Sequence, residues 1–189
     1  MRPSKAEVLA LLRQLGTPPP VIGHVIKVEK TARRIAGDIS NNGATIDLEL
    51  VTLGALLHDV GRSQTHGLDH GVIGGRIVRE SPVFAELFDE KDREALARIC
   101  ERHIGGGIPA RDAAEAGLPE RDFLPETLEE KIIAHADNLV WNGVLTVEES
   151  RRAFERRFGP DSPVVKRIVK LSEEIQRLAG RGNERDHDT

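Results

Sequence analysis

Apolar residues recur at helical spacing along almost the whole chain, and this periodicity restricts the fold more than any other feature. Segment 4–15 illustrates it with four apolar residues on one face: Val8, Leu11, Leu12 and Leu15. The same pattern predicts further helices over 20–39, 48–59, 69–79, 90–103, 126–141, 146–157 and 161–179, and one short turn over 112–116. No segment alternates as a strand would. We therefore expect an all-α bundle of about eight helices.

The length of 189 residues is enough for one domain with a buried core. We expect this domain to span residues 1–180, with a core over 18–142 and C-terminal helices over 146–179. The apolar faces of these last helices can pack on the bundle or on a second copy of the chain, which would make a homodimer. Residues 181–189 have nothing to bury and are expected to be disordered.

Composition argues against several kinds of partner. The net charge of −4 gives no overall positive field for nucleic acid, and aromatic residues are only 3% of the chain, so a base-stacking surface is not expected. No apolar run reaches the roughly 18 residues of a membrane span, and the N-terminus does not resemble a secretion signal. The one cysteine, Cys100, is interpreted as a small buried apolar group. We therefore expect a cytoplasmic protein that does not bind membranes.

One apolar run ends in an adjacent histidine and aspartate, His58 and Asp59. On a regular helix, adjacent side chains point about 100° apart, so these two can aim at one point only where the helix ends. Gly61, two residues later, indicates such an end. An imidazole nitrogen and a carboxylate oxygen directed at one point are a typical start of a divalent-metal site.

Other polar residues fall on the inward faces, or at the core-proximal ends, of four further predicted helices: His24, His70, His103 and Asp137. A single inward histidine is usually satisfied within the core, but a buried carboxylate needs a cation or several donors. Five helices that each bring His or Asp inward are most simply explained by a shared cation. These ligands suit Mn, Fe, Co, Ni or Zn, and they are numerous enough for one or two ions, with Asp59 as the bridge between two.

At these positions the chain resembles the HD-domain metal-dependent phosphohydrolases, whose signature is matched over residues 21–142 by His24, His58, Asp59 and Asp137. His70 and His103 resemble the two extra histidines of the HDIG-type branch of that family. The resemblance implies an all-α fold around the metal and hydrolysis of phosphate esters, often of nucleotides. It also implies two ligand sets: His24, His58, Asp59 and Asp137 for a first metal, and Asp59, His70 and His103 for a second.

Local differences from particular branches of the family bear on the substrate. Arg62 stands where the HDIG element is usually followed by Lys, so the positive charge is kept. The 5′-nucleotidase-like branch often has an acidic residue soon after the His-Asp pair, and Arg62 argues against a close match there. The cyclic-dinucleotide branch carries a Gly-Tyr-Pro element, whereas this chain has Gly107-Ile108-Pro109. Similar small HD domains accompany RNA-modifying enzymes, which hints at an RNA end or a cyclic phosphate.

Three further residues are candidates for contact with substrate. Lys27 lies one helical turn after His24 and is either a phosphate ligand or a solvated surface lysine. Arg62, just past the His-Asp pair, is assigned to phosphate binding. His66 is interpreted as a metal ligand, a proton donor to the leaving group, or a solvated loop residue.

Together these features favour a metal-dependent phosphohydrolase, either a phosphatase or a phosphodiesterase, that acts on a small nucleotide-like substrate. The metal would lower the pKa of a bound water and supply hydroxide near neutral pH. The groups expected to take part in catalysis are Asp59, Arg62, Lys27 and His66. Two alternatives stay open: a non-catalytic nucleotide-sensing or partner-binding module, and a metal that mainly holds the helices together.

Overall fold

The computed structural model describes residues 2–181, which contain ten α-helices and one 3-10 helix. In chain order the α-helices are α1 (Lys5–Gln14), α2 (Pro19–Asn41), α3 (Leu48–Leu57), α4 (His70–Glu80), α5 (Pro82–Leu87), α6 (Glu90–Arg102), α7 (Ala110–Glu115), α8 (Leu128–Asn138), α9 (Val147–Phe158) and α10 (Pro163–Leu178). The 3-10 helix, Val60–Ser63, lies between α3 and α4. Within the same residues, β-structure is limited to two isolated bridges. The expected all-α fold is confirmed.

The eight helices predicted from periodicity are all present, with ends that differ by three residues or fewer. The short turn predicted over 112–116 corresponds to α7. Periodicity does not predict α5 or the 3-10 helix, because elements of six and four residues are too short to show a repeating apolar face. The start of α5 has its own signal, since Pro82 occupies the first turn, where its missing N–H costs nothing.

The helices pack in a layered bundle around α3, which contacts α1, α2, α6 and α8. Six of its ten residues are buried, including Val51, Leu53 and Leu56. Near the C-terminus, α10 packs on α8 and α9 and buries Leu171 and Ile175. The apolar face of this last helix is therefore covered by the chain's own bundle.

Glycines allow α4 to approach its neighbours closely. A Cβ added at Gly71 would lie 2.8 Å from the carbonyl oxygen of Cys100 on α6. On the other side, a Cβ added at Gly61 of the 3-10 helix would lie 2.0 Å from the carbonyl oxygen of His70. The start of α4 is therefore in backbone contact with both the 3-10 helix and the end of α6, and this contact determines where His70 lies.

No helix of residues 2–181 combines the length and the apolar character needed to cross a membrane. The segment predicted to be disordered, 181–189, lies outside the described residues except for Arg181. That arginine forms an ion pair with Asp38 of α2.

Arg2 joins the starts of α3 and α6. Its guanidinium donates to both oxygens of Asp47 at 2.6 and 2.8 Å and to both oxygens of Asp92 at 2.7 Å. Asp47 also caps α3 by accepting from the N–H of Leu50. The hydrogen bonds from Arg2 hold the pKa of Asp47 and the pKa of Asp92 below their ordinary values.

Replacement of Arg2 by methionine is expected to lower the free energy of unfolding by about 1 kcal/mol near pH 7. Because the pKa of both carboxyls is lowered in the folded protein, this contribution is present above their ordinary pKa, about 4, and is lost as the pH falls through the lowered values. Urea unfolding at about pH 7 and about pH 3 tests the expectation, since the difference from wild type should shrink at the lower pH. Arg13→Met, on the exposed face of α1, is the control and should cost less than about 0.5 kcal/mol. An equal difference at both pH values would contradict this role.

Candidate metal centre

The His-Asp pair lies where the chain changes from α-helix to 3-10 helix. His58 caps the C-terminus of α3 with φ −52° and ψ −33°, and Asp59 precedes the 3-10 helix with φ −101° and ψ 15°. This change in backbone conformation lets two adjacent side chains turn toward one centre, as the helix end at Gly61 predicts. Both are buried, with 0% and 5% of their surface exposed.

The other predicted ligands reach the same centre from four helices. His24 comes from the second turn of α2 and Asp137 from the last turn of α8. His70 is the first residue of α4, and His103 caps the C-terminus of α6. The contacts between the nitrogens and carboxylate oxygens are His24 Nε2–Asp137 Oδ1 at 2.8 Å, His58 Nε2–Asp137 Oδ1 at 3.4 Å, His70 Nε2–Asp59 Oδ1 at 3.2 Å and His103 Nε2–Asp59 Oδ1 at 3.7 Å.

The two oxygens of Asp59 face different pairs of histidines. Oδ2 lies 4.0 Å from His24 Nε2 and 3.9 Å from His58 Nε2. Oδ1 lies on the side of His70 and His103. A carboxylate with one ligand pair at each oxygen has the arrangement of a bridge between two cation positions.

Main-chain carbonyls orient three of the histidines. The Nδ1 atoms of His58, His70 and His103 lie 2.7–2.8 Å from the carbonyl oxygens of Ala55, Gly67 and Cys100. A carbonyl oxygen can only accept, so each Nδ1 carries a hydrogen. In the neutral ring, Nε2 then carries the free lone pair. In all three residues Nε2 faces the centre. This is how proteins commonly fix metal-binding histidines.

The nitrogen and oxygen atoms at the centre do not satisfy one another by hydrogen bonds, whereas a bound cation would satisfy them. His58 Nε2 is buried and has no hydrogen-bond partner among the described residues; at 3.4 Å it is in electrostatic contact with Asp137 but not well aligned to it. The Nε2 atoms of His70 and His103 are 3.1 Å apart, although each is an acceptor in its neutral form. Such lone pairs repel unless a proton or metal lies near them. Ligand atoms of His24, His58 and Asp137 lie within 4.8 Å of one another, as do those of His58, Asp59 and His103, and these groups could each hold a metal ion.

The electrostatics of the centre also favour a cation. Burial alone would lower the pKa of His58, but the charges of Asp59 and Asp137 outweigh it and raise this pKa to about 9. Burial opposes ionisation of the two carboxyls as well, yet the neighbouring histidines hold the pKa of each below its ordinary value. Burial, with the positive charge of His58, lowers the pKa of His103 to about 3, so its Nε2 stays a neutral donor to a metal.

The centre opens into a cavity of about 500 Å³, which also contains two of the residues assigned to substrate contact. Arg62 donates from Nε to Asp59 Oδ1 at 2.9 Å, and its Nη2 lies 3.4 Å from His70 Nε2. His66 is exposed and lines the cavity. Lys27 is not among the lining residues; it is exposed, and its ammonium donates to the carbonyl oxygen of Asn142 at 3.4 Å.

Several residues of this cavity were not among the sequence-based candidates. Trp141, Phe154 and Arg157 line it, the last two from α9. Asn138, next to Asp137, donates to the carbonyl oxygen of Gly105 at 2.9 Å and so ties the loop between α6 and α7 to α8. A polar residue next to a candidate ligand, such as Asn138 beside Asp137, is a usable sequence signal. Phe154 and Arg157 of α9 carry no such sequence signal, because their spacing is that of any amphipathic helix.

The similarity to known proteins agrees with this geometry. The model of the HD domain matches residues 21–142. An uncharacterized protein of Methanocaldococcus jannaschii is 46% identical over 91% of this chain and 96% of its own length. Two proteins named tRNA (cytidine(56)-2′-O)-methyltransferase also match: that of Picrophilus torridus is 37% identical over 95% of this chain, and that of Thermoplasma volcanium is 41% identical over 72%. The matched regions are only 48% and 36% of those methyltransferases.

The fold is similar to that of a solved structure as well. The crystal structure of a predicted HD superfamily hydrolase from an uncultured Thermotogales bacterium superposes with a TM-score of 0.50, covering 95% of this chain and 91% of the other. Sequence identity is 20%, so this likeness concerns the fold alone. The HD-domain match covers the five elements that converge on Asp59, and it covers most of the chain. The chain therefore belongs to the HD domain family.

Proposed function

We propose that this protein is a metal-dependent phosphohydrolase that cleaves a phosphomonoester or a phosphodiester of a nucleotide-like substrate. The observation that carries the proposal is the buried Asp59 carboxylate, whose oxygens face two separate histidine pairs inside a cavity open to solvent. A cation that served only to hold helices together would not need an adjoining cavity of about 500 Å³.

Two overlapping ligand sets support one or two divalent ions. His24, His58, Asp59 and Asp137 would hold the first, and Asp59, His70 and His103 the second. Neutral imidazoles with carboxylates favour Mn, Fe, Co, Ni or Zn over Mg or Ca. When bound, such a metal activates water as a nucleophile and offsets negative charge on the phosphoryl group.

The residues around the centre have the chemistry to assist the reaction. Arg62 uses Nε for Asp59 and keeps further N–H donors that can bind a non-bridging phosphoryl oxygen. Asp59 can accept a proton from the attacking water. His66, exposed at the wall of the cavity, can give a proton to the leaving oxygen. Lys27 would have to release the carbonyl of Asn142 and extend toward the site to contact a phosphate.

The names of two similar proteins support a nucleotide or an RNA end as the molecule that carries the phosphate ester. Two of them are named as tRNA methyltransferases, and this chain corresponds to about half or less of each. A phosphate-processing domain within an RNA-modifying protein has ready access to RNA termini and to cyclic phosphates. The net charge of −4 argues against wide contact with folded RNA, so the substrate is better described as a nucleotide-sized group.

The test begins with protein stripped of metal by a chelator and then supplied with Mn²⁺, Co²⁺, Ni²⁺, Fe²⁺ or Zn²⁺. At one hundred times its dissociation constant, a metal that binds the native state should stabilise it by about 2.7 kcal/mol, which for a chain of this size raises Tm by roughly 5–10 °C. The same metals should support hydrolysis of bis(p-nitrophenyl) phosphate, of nucleoside monophosphates or of cyclic nucleotides. A metal-dependent rise in Tm with no turnover of any ester would overturn the proposal in favour of a nucleotide-sensing module.

A further inference from the structure

Three of the six aromatic side chains of this protein gather at the rim of the metal centre: Trp141, Phe154 and Phe158. The ring centroids of Trp141 and Phe154 are 5.5 Å apart with the planes at 80°, and those of Phe154 and Phe158 are 6.3 Å apart with the planes at 14°. Trp141 is 41% exposed and Phe158 is 43% exposed. A contiguous patch of exposed aromatic surface next to a site is typical of ligand contact.

The aromatic cluster opens on the metal centre and not on a separate face. The cavity that contains Asp59 and Asp137 is also lined by Trp141 and Phe154. An adjoining depression of about 450 Å³ shares Phe154 with the first and continues to Phe158. Each volume lies within the roughly 300–1,000 Å³ typical of small-molecule sites. A ligand that reaches the centre with one end can therefore lie along the aromatic rings with the other.

Two hydrogen bonds, one from the indole ring and one from α9, share a carbonyl oxygen at the end of α8. Trp141 Nε1 donates to the carbonyl oxygen of Asn138 at 3.3 Å, and Asn138 follows Asp137 directly. The hydroxyl of Ser150 on α9 donates to the same carbonyl at 2.7 Å, which ties α9 to the end of α8. The aromatic surface is thus held in place before a ligand arrives, which reduces the entropy lost on binding.

A positive charge accompanies the rings. The guanidinium carbon of Arg157 lies 5.1 Å from the centroid of Phe158, and Arg157 lines both depressions. Within residues 2–181 this arginine forms no salt bridge with a carboxylate, so its charge is available to a ligand. Planar aromatic faces with a nearby guanidinium are the usual means of holding a nucleobase whose phosphate is bound elsewhere.

We propose that Trp141, Phe154, Phe158 and Arg157 form a base-stacking subsite, so that the ester cleaved at the metal centre belongs to a nucleotide whose base lies on these rings. The cleavage of the ester in this inference rests on the proposed function, but binding of the base can be tested without any hydrolysis. Three of these residues lie in α9, beyond the segment 21–142 that matches the HD domain. Specificity for a nucleotide would then be a property of the C-terminal extension of this chain.

Trp141 is the only tryptophan, so its fluorescence reports directly on this subsite. The full chain, supplied with Mn²⁺, is titrated with adenosine and separately with ribose, neither of which carries an ester to cleave. We expect saturable quenching by adenosine and none by ribose. Adenosine should also inhibit hydrolysis of bis(p-nitrophenyl) phosphate with an inhibition constant equal to the Kd from quenching.

Substitutions separate stacking from general apolar contact. Phe158→Ala should weaken adenosine binding about tenfold, and Phe158→Leu, which keeps apolar volume but removes the ring, should weaken it similarly. Leu48→Ala, which removes an exposed apolar side chain of α3, is the control and should leave adenosine binding unchanged.

Two results would overturn the subsite: absence of quenching by adenosine, or full retention of adenosine binding by Phe158→Leu. Neither result would affect the proposed function if esters are still hydrolysed. Conversely, quenching by adenosine together with no hydrolysis of any ester would support the subsite and overturn the proposed function.

Discussion

Replacement of Asp59 by asparagine is expected to reduce metal-dependent hydrolysis by roughly 10³-fold or more, or about 4 kcal/mol of transition-state stabilisation. The reason is geometric. Each oxygen of this carboxylate faces a different pair of histidines, so the substitution removes a charged ligand from both groups at once. Steady-state kinetics with added Mn²⁺ measures the loss.

The fold of this variant should survive. Asparagine is nearly the same size as aspartate, and its side-chain oxygen can still accept the hydrogen bond from Arg62. We expect Asp59→Asn without added metal to melt within about 5 °C of wild type, but to lose most of the metal-dependent rise in Tm. Asp161→Asn, the same change at an exposed position before α10, should behave as wild type in both assays. Wild-type turnover by Asp59→Asn would refute the bridging role.

Gly61→Ala is expected to be the most destabilising small substitution near the site. The added Cβ would lie 2.0 Å from the carbonyl oxygen of His70 and 2.7 Å from the backbone nitrogen of Gly74. Both atoms belong to the backbone of α4, so no side-chain rotation can relieve the contact. We expect a loss of about 3–5 kcal/mol in the free energy of unfolding and a fall in Tm of roughly 6–15 °C.

The same substitution should weaken the second ligand set. His70 can stay beside Asp59 only if α4 stays against the 3-10 helix, so we expect activity to fall together with stability. Gly37→Ala is the matched control, because its Cβ would meet no heavy atom within 4 Å. At that position in α2, alanine should stabilise the protein by roughly 0.5–1 kcal/mol. If Gly61→Ala melted and turned over like wild type, close contact between α4 and the 3-10 helix could not be what positions His70.

The amino-acid sequence was sufficient to predict most of the helices and the set of His and Asp side chains that meet at one centre. Helices such as α2 and α8 bury enough apolar residues at regular spacing for their existence to be a local property of the chain. These side chains could be recognised because His and Asp are costly on inward faces, and an inward carboxylate such as Asp137 needs a cation or several donors. In the structure the nearest nitrogen–oxygen distances between these histidines and aspartates are 2.8–3.7 Å, as expected for a shared centre.

Tertiary packing alone decided how those groups are arranged and what surrounds them. Periodicity indicates which face of a helix is buried, but distances between helices depend on contacts such as that of Gly71 with Cys100, which join residues far apart in the sequence. For that reason the sequence could not predict which histidines face each oxygen of Asp59. It also could not predict that Lys27 lies outside the cavity. The low aromatic content likewise gave no sign that Trp141, Phe154 and Phe158 would meet beside the centre. Composition counts side chains, whereas the packing of α9 on α10 and the hydrogen bond from Ser150 to the end of α8 determine where they gather.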